Sequence, residues 1–286
     1  MRPTVQTFFD SATNTATHLV WDPASLDAAV IDPVLDYEPK SATLGHASAD
    51  ALLAAIADKG LQLRYILETH AHADHLTAGD WLRARTGARL VIGAHITQVQ
   101  GVFAPVFEAD DVPLDGSDFD VLMGEGDTLP LGELTIAMIH TPGHTPACVT
   151  YLIGDAAFVG DTLFMPDYGT ARADFPGGDA RTLHRSIRRI LALPGATRIF
   201  VGHDYLPEGR KDFRFETSVA DERLHNIHVH DGIGEDDLVA MRQARDATLA
   251  APTLILPSLQ VNIRAGKLPA PSPRGGVFLK IPVRMA

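Results

Sequence analysis

The chain has 286 residues, enough for one large α/β domain, and 45% of them are apolar, enough to fill a sizeable core. Acidic residues outnumber basic ones by 36 to 24, and the formal net charge of −12 opposes a phosphate backbone as general partner. A single cysteine, Cys148, excludes an intrachain disulfide, and no apolar run reaches membrane-spanning length. The expectation is therefore a cytoplasmic protein that engages neither nucleic acid nor membrane.

In chain order, β-branched and aromatic runs predict strands at 5–9, 18–21 and 28–31. The third closes at Asp32-Pro33, because proline cannot continue a hydrogen-bonded ladder. A helix is predicted over 48–59, from a Ser or Asp cap to Gly60. The next strand, 63–67, runs into Thr69-His70-Ala71-His72-Ala73-Asp74-His75. A helix over 74–86, closed by Gly87, and a strand at 90–92 follow. Further on, a strand at 134–139 leads into Thr141-Pro142-Gly143-His144. Strands 148–153 and 157–159 pair about Gly154-Asp155, and the second runs into Gly160-Asp161. A basic helix over 179–191 precedes a strand at 198–201 that delivers Gly202-His203-Asp204-Tyr205. After Pro207 come two helices, near 218–225 and 235–250, and a Pro/Gly-punctuated tail from Pro252. Residues 207–286 read as a helical and Pro-rich extension of a single domain spanning 1–286.

Each of the four ligand-rich segments follows a predicted strand, where loops at one edge of a rigid scaffold converge. His70 and His72 are alternate residues, which share a face on an extended backbone. A lone histidine is usually an ordinary polar group. Three within six positions, joined by Asp74 and followed by His144, Asp161 and His203 after glycines, instead suit Fe(II), Zn(II) or Mn(II). The spacing permits one metal or two, and by itself favours two.

These segments, in this order, resemble the metallo-β-lactamase superfamily. The resemblance implies an α/β fold, an αββα sandwich of two mixed β-sheets flanked by helices, with metal at one edge. In dinuclear members His70, His72 and His144 would hold one metal and Asp74, His75 and His203 the other, with Asp161 bridging. A longer set of segments resembles the persulfide dioxygenases, also called sulfur dioxygenases. It comprises Ile31-Asp32-Pro33-Val34-Leu35, His75-Leu76-Thr77-Ala78-Gly79, the stretch from Thr141 to Thr150, Gly160-Asp161-Thr162-Leu163-Phe164, the stretch from Gly169 to Phe175, His203-Asp204-Tyr205 and Asn262-Ile263-Arg264-Ala265-Gly266.

That closer resemblance implies one Fe(II) per chain on His70, His144 and Asp161, with His72, Asp74, His75 and His203 around it. The implied substrates are glutathione persulfide and O2, the products sulfite and glutathione. Arg172 is expected either to grip a substrate carboxylate or to brace its loop through Asp174. Tyr205 would donate to substrate, or its hydroxyl would brace the loop after His203. Cys148 reads as a small buried residue, and His225, His228 and His230 as a polar surface or cap feature. Ala265 stands where the family often has cysteine, so no thiol chemistry operates there. The alternative is a dinuclear Zn(II) hydrolase of the glyoxalase II type, cleaving a glutathione thioester. That type normally carries a helical C-terminal substrate domain, against which the Pro-rich tail argues. The oligomeric state, a homo-oligomer included, and the physiological persulfide donor stay open.

Overall fold

A computed structural model gives the structure of residues 2–283. The N-terminal half contains β1 (Thr4–Asp10), β2 (Thr15–Trp21), β3 (Asp27–Ile31), β4 (Val34–Leu35), β5 (Tyr37–Glu38), β6 (Thr43–Leu44), α1 (Ala47–Asp58), β7 (Gln62–Leu67), β8 (Leu76–Thr77), α2 (Gly79–Thr86), β9 (Arg89–Gly93), α3 (Ile96–Val106) and β10 (Val121–Met123). Then come β11 (Thr128–Leu131), β12 (Leu134–His140), β13 (Val149–Ile153), β14 (Ala156–Phe158), α4 (Ala180–Leu191), β15 (Arg198–Phe200), β16 (Glu216–Ser218), α5 (Val219–His225), α6 (Glu235–Asp246) and α7 (Ile255–Asn262).

Two six-stranded sheets form, in the orders β1-β2-β3-β7-β9-β10 and β11-β12-β13-β14-β15-β16. Both are mixed. In the first, β1 to β3 are antiparallel and β3, β7, β9 and β10 run parallel. In the second, only β14 and β15 are parallel neighbours.

The period-two alternation of side chains sorts the core into three layers. Ala29, Ile31, Leu67 and Val91 point from the first sheet to meet Ile136, Tyr151, Phe158 and Phe200 of the second. Their neighbours Ala28, Val30, Ile66, Leu90 and Ile92 point outward, onto Leu52, Leu82, Ile96 and Leu259 of α1, α2, α3 and α7. On the far side, Ala157 and Ile199 meet Leu183 and Ile187 of α4, Val219 of α5 and Leu238 of α6. The predicted αββα sandwich is therefore the observed one. No described helix is long and apolar enough to cross a membrane.

Three expectations need correction. The helix predicted over 74–86 starts only at Gly79. Leu76 and Thr77 pair instead with Leu35 and Val34, and Asn262 holds the preceding backbone in an irregular turn. Helix α1 starts at Ala47 without a side-chain cap, and Ser48 is turned to Asp36, its hydroxyl 2.5 Å from Oδ1. The tail from Pro252 contains a helix, α7, despite Pro257. That proline lies in the first turn, where its missing N–H would have had no partner in the helix. Val261, Ile263 and Ala265 in and after α7 are buried in the layer over the first sheet.

Candidate metal centre

The strand ends deliver the ligand-rich segments as expected. β7 leads to His70, β12 to His144, β14 to Asp161 and β15 to His203. Glycines make two of these turns. At Gly160 φ is +50°, and an added Cβ would lie 2.4 Å from Thr69 Oγ1. At Gly143 φ is +138°, and a Cβ would lie 2.3 Å from the Leu183 backbone.

His70, His144 and Asp161 converge. Their Nε2 atoms stand 3.9 Å and 3.6 Å from the same oxygen, Asp161 Oδ2. His70 Nε2 is buried and has no hydrogen-bond partner among the described residues. A buried nitrogen left bare is costly unless something else fills its lone pair. The tautomers point the same way. Thr69 Oγ1 gives its one proton to Asp32 Oδ2 at 2.7 Å, so it accepts from His70 Nδ1 at 3.0 Å. His144 Nδ1 donates to the Arg172 carbonyl at 2.8 Å. Both Nε2 lone pairs are thereby presented to the Asp161 carboxylate, an arrangement that calls for a cation between them. Burial also holds the His70 pKa well below its usual value, so the ring is neutral and ready to ligate. The residues fit a divalent metal.

His72 stands outside this group. Its Nε2 is 3.0 Å from Asp32 Oδ1 and 3.4 Å from Glu68 Oε2, while its buried Nδ1 has no partner. Burial would lower its pKa, but the charges of Asp32 and Glu68 and the hydrogen bonds to them outweigh it and raise the pKa well above the usual value. Asp32 is the organiser here, since it also accepts from Thr69 N at 2.7 Å. In the sequence Asp32 stands out as a strand end and as part of the family-like segment Ile31–Leu35, but with no role at the site. The usable signal was the parallel pairing of Ile31 with Leu67, which sets Asp32 beside Glu68.

A second group comprises Asp74, Asp161 and His203. His203 Nε2 lies 3.4 Å from Asp74 Oδ2 and 3.3 Å from Asp161 Oδ1, and its Nδ1 donates to the Asn14 carbonyl at 3.0 Å. His75 does not join this group: its Nδ1 is on Asp74 at 3.1 Å, its buried Nε2 has no partner among the described residues, and with His72 and Asp74 it makes a further three-donor group.

A cavity of about 470 Å³ opens onto His144, Asp161 and Asp74. Arg172 lines it, and three of its five N–H groups are engaged. Its Nε and Nη2 donate to both Asp174 oxygens at 2.6 and 2.7 Å, and Nη1 donates to the Ala250 carbonyl at 2.7 Å. Of the two roles expected for Arg172, its contacts are those of the brace. Tyr205 also lines the cavity, with its ring stacked on His203 at 5.5 Å. Its hydroxyl makes no hydrogen bond among the described residues, so it does not brace the loop after His203. Asp204 does that, gripped by Arg210 and accepting from the Arg214 backbone at 2.7 Å. Partial burial, reinforced by the charges of Asp161 and Asp74, raises the Tyr205 pKa, so the phenol stays protonated.

Cys148 is buried, its Sγ is 3.0 Å from Thr145 Oγ1, and burial pushes its pKa up to about 12. A thiol so disfavoured as thiolate is inert. His225 is exposed, as expected for a surface feature, but His228 is not. It is buried under the loop that leads to Arg172 and accepts from Thr170 N at 3.0 Å, and burial lowers its pKa to about 4. His230 is half-buried on its own turn, its Nδ1 2.8 Å from the Asp231 carbonyl.

Comparisons with known proteins agree with this geometry. The Metallo-beta-lactamase superfamily profile matches residues 13–203. A probable metallo-hydrolase of Burkholderia pseudomallei is 55% identical over 98% of this chain and 99% of its own. Glyoxylase B2 of Dictyostelium discoideum is 42% identical over 98% and 96%, and the human mitochondrial persulfide dioxygenase ETHE1 is 34% identical over 69% and 66%. The crystal structure of ETHE1 from Myxococcus xanthus superposes with a TM-score of 0.74 at 32% identity, covering 92% of this chain and all of that one. Strand order, ligand segments and these likenesses together place the chain in the metallo-β-lactamase superfamily.

Proposed function

We propose that the protein is a cytoplasmic, Fe(II)-dependent persulfide dioxygenase that oxidises glutathione persulfide with O2 to sulfite and glutathione. The observation that carries this reading is the grouping of His70, His144 and Asp161 at the cavity, with His72 drawn aside by Asp32. Two imidazoles and one carboxylate form the facial triad of non-haem iron oxygenases. The similarity to persulfide dioxygenases of human and Myxococcus xanthus supports it. When bound, Fe(II) supplies a redox-active centre with affinity for both soft sulfur and dioxygen.

The chain's own groups supply position and polarity. Thr69 and the Arg172 carbonyl fix the two imidazole rings, so the sulfur meets a preformed site. The cavity volume falls within the range for a small-molecule ligand, and Phe164, Phe175 and Tyr168 in its lining shield the reacting end from bulk water. Tyr205 holds a proton that it can donate to the sulfur end of the substrate or to an oxygen that develops charge.

One observation favours a second reading, a dinuclear thioester hydrolase. Asp74, Asp161 and His203 make a second three-donor group, and Glyoxylase B2 is similar along its length. An oxygen electrode separates the two. Iron-replete protein given glutathione persulfide is expected to consume O2 and form sulfite, with little reaction on sulfide or glutathione alone. Hydrolysis of S-lactoylglutathione without O2 uptake would establish the hydrolase instead.

A further inference from the structure

Three arginines line the cavity, and two of them already carry ion pairs. Arg172 is held by Asp174 and the Ala250 carbonyl. Arg242 is buried on α6, donates to the Thr170 carbonyl at 3.0 Å and pairs with Asp246 one turn on. Arg245, on the same helix, is different. Its side chain is exposed to the cavity, and among the described residues it has no ion pair within 4 Å and no side-chain hydrogen bond. Its guanidinium carbon stands 5.7 Å from the centre of the Tyr168 ring, which stacks at 4.9 Å on Tyr205. In a chain with 36 acidic and 24 basic residues, a cation left unpaired inside a concave, aromatic-lined site stands out.

We propose that Arg245 binds a carboxylate of the substrate and sets the preference for an anionic thiol-derived molecule over a neutral one. The inference rests on the reading of this cavity as a site for a glutathione-based substrate. A tripeptide of that kind carries two carboxylates, and the guanidinium fork matches one of them through two parallel hydrogen bonds. The Tyr168 ring lies within cation–π reach of the guanidinium, on the side of the cavity where a carboxylate would dock. Arg245 therefore offers the free fork that Arg172 has committed to Asp174 through Nε and Nη2.

The test needs no turnover. Calorimetry measures binding of S-methylglutathione and of its dimethyl ester to the purified full-length protein and to Arg245→Gln and Arg245→Lys. The wild type is expected to prefer the diacid, and Arg245→Gln to bind it about ten- to a hundred-fold more weakly while binding the diester unchanged. Arg245→Lys is expected to recover part of the loss, since it keeps the charge without the fork. Because Arg245 is exposed on the helix surface, these variants are expected to fold. A wild type that binds diacid and diester alike, or fails to bind the diacid, would overturn the assignment. So would an Arg245→Gln variant that keeps the preference. Loss of the preference in a protein that takes up no O2 from glutathione persulfide would sustain Arg245 as the anchor and reject the dioxygenase reading alone.

Discussion

The imidazole protons sort the histidines: His70 and His144 turn Nε2 toward Asp161, whereas His72 gives Nε2 to Asp32 and leaves Nδ1 without a partner among the described residues. His70 and His144 spend their Nδ1 protons on Thr69 Oγ1 and the Arg172 carbonyl, leaving Nε2 lone pairs toward Asp161. His72 spends its Nε2 on Asp32 and lies outside that group. The variants His70→Ala, His144→Ala and Asp161→Ala are therefore expected to lose iron and activity together. His72→Ala is expected to keep measurable iron while working poorly, because Asp32 and Glu68 lose the cation between them. Elemental analysis after dialysis checks this, and iron loss in His72→Ala equal to that in His70→Ala would contradict it. The His and Asp segments were legible in the sequence, but the choice of these three came from the resemblance to the persulfide dioxygenases, since spacing alone favours two metals. The diversion of His72 was not, because it depends on a carboxylate 40 positions earlier. The Arg172–Asp174 pair is one of the two roles the sequence offers, but the added contact to the Ala250 carbonyl is not legible there, since Ala250 lies far along the chain.

At the scale of elements, the site is held from behind by pieces that carry no ligand. Asn262, at the end of α7, donates to the carbonyls of His72 and His75 at 2.8 Å each and accepts from Thr77 N at 2.9 Å. This one amide satisfies three buried backbone groups of the turn that displaced the predicted helix start. Asn262→Ala is expected to lower the unfolding free energy by about 2–4 kcal/mol, as buried polar groups lose partners, and to weaken metal retention. Denaturant titration checks the first, and a change under about 0.5 kcal/mol, the scale of an ordinary surface substitution, would show that α7 does not brace the loop. β2 contributes His18, packed at 5.6 and 5.5 Å from Phe158 and Phe200 of the other sheet. Its Nε2 donates to the Val201 carbonyl at 3.0 Å, and burial lowers its pKa to about 4. Because the folded value lies below the unfolded one of 6.5, the unfolded chain binds the proton first. Stability from this group is full above pH 6.5 and is lost as pH falls through 4. The loss is on the order of 3 kcal/mol, and His18→Gln, with no proton to gain, is expected to flatten the pH dependence by that amount. Parallel curves for the two proteins would refute it. The amphipathic helix α4 and the alternating strands were legible because each carries its own period. α7 was not, since prolines around its start mask a helix that burial on the first sheet stabilises.

Across the whole molecule, the centre exists only where the two sheets meet at one edge. His70, His72, Asp74 and His75 follow a strand of the first sheet, while His144, Asp161 and His203 follow strands of the second. A bridge between Thr15 and His203, and the hydrogen bond from Ala16 N to the Gly202 carbonyl at 2.8 Å, tie the two sheets beside the site. Metal bound across that seam holds both halves and is absent from the unfolded chain, so stripping it with a chelator is expected to lower Tm, with recovery on adding Fe(II). An unchanged Tm would show that metal does not span the seam. We propose that one ion, on His70, His144 and Asp161, makes this superfamily fold an iron dioxygenase. The most direct measurement is the metal-to-chain ratio of protein purified without oxygen and titrated with Fe(II) and Zn(II), read beside O2 uptake from glutathione persulfide. The account predicts saturation near one iron per chain, with uptake rising in proportion to iron. Saturation at two metals per chain, with zinc supporting full activity and no O2 consumed, would contradict it.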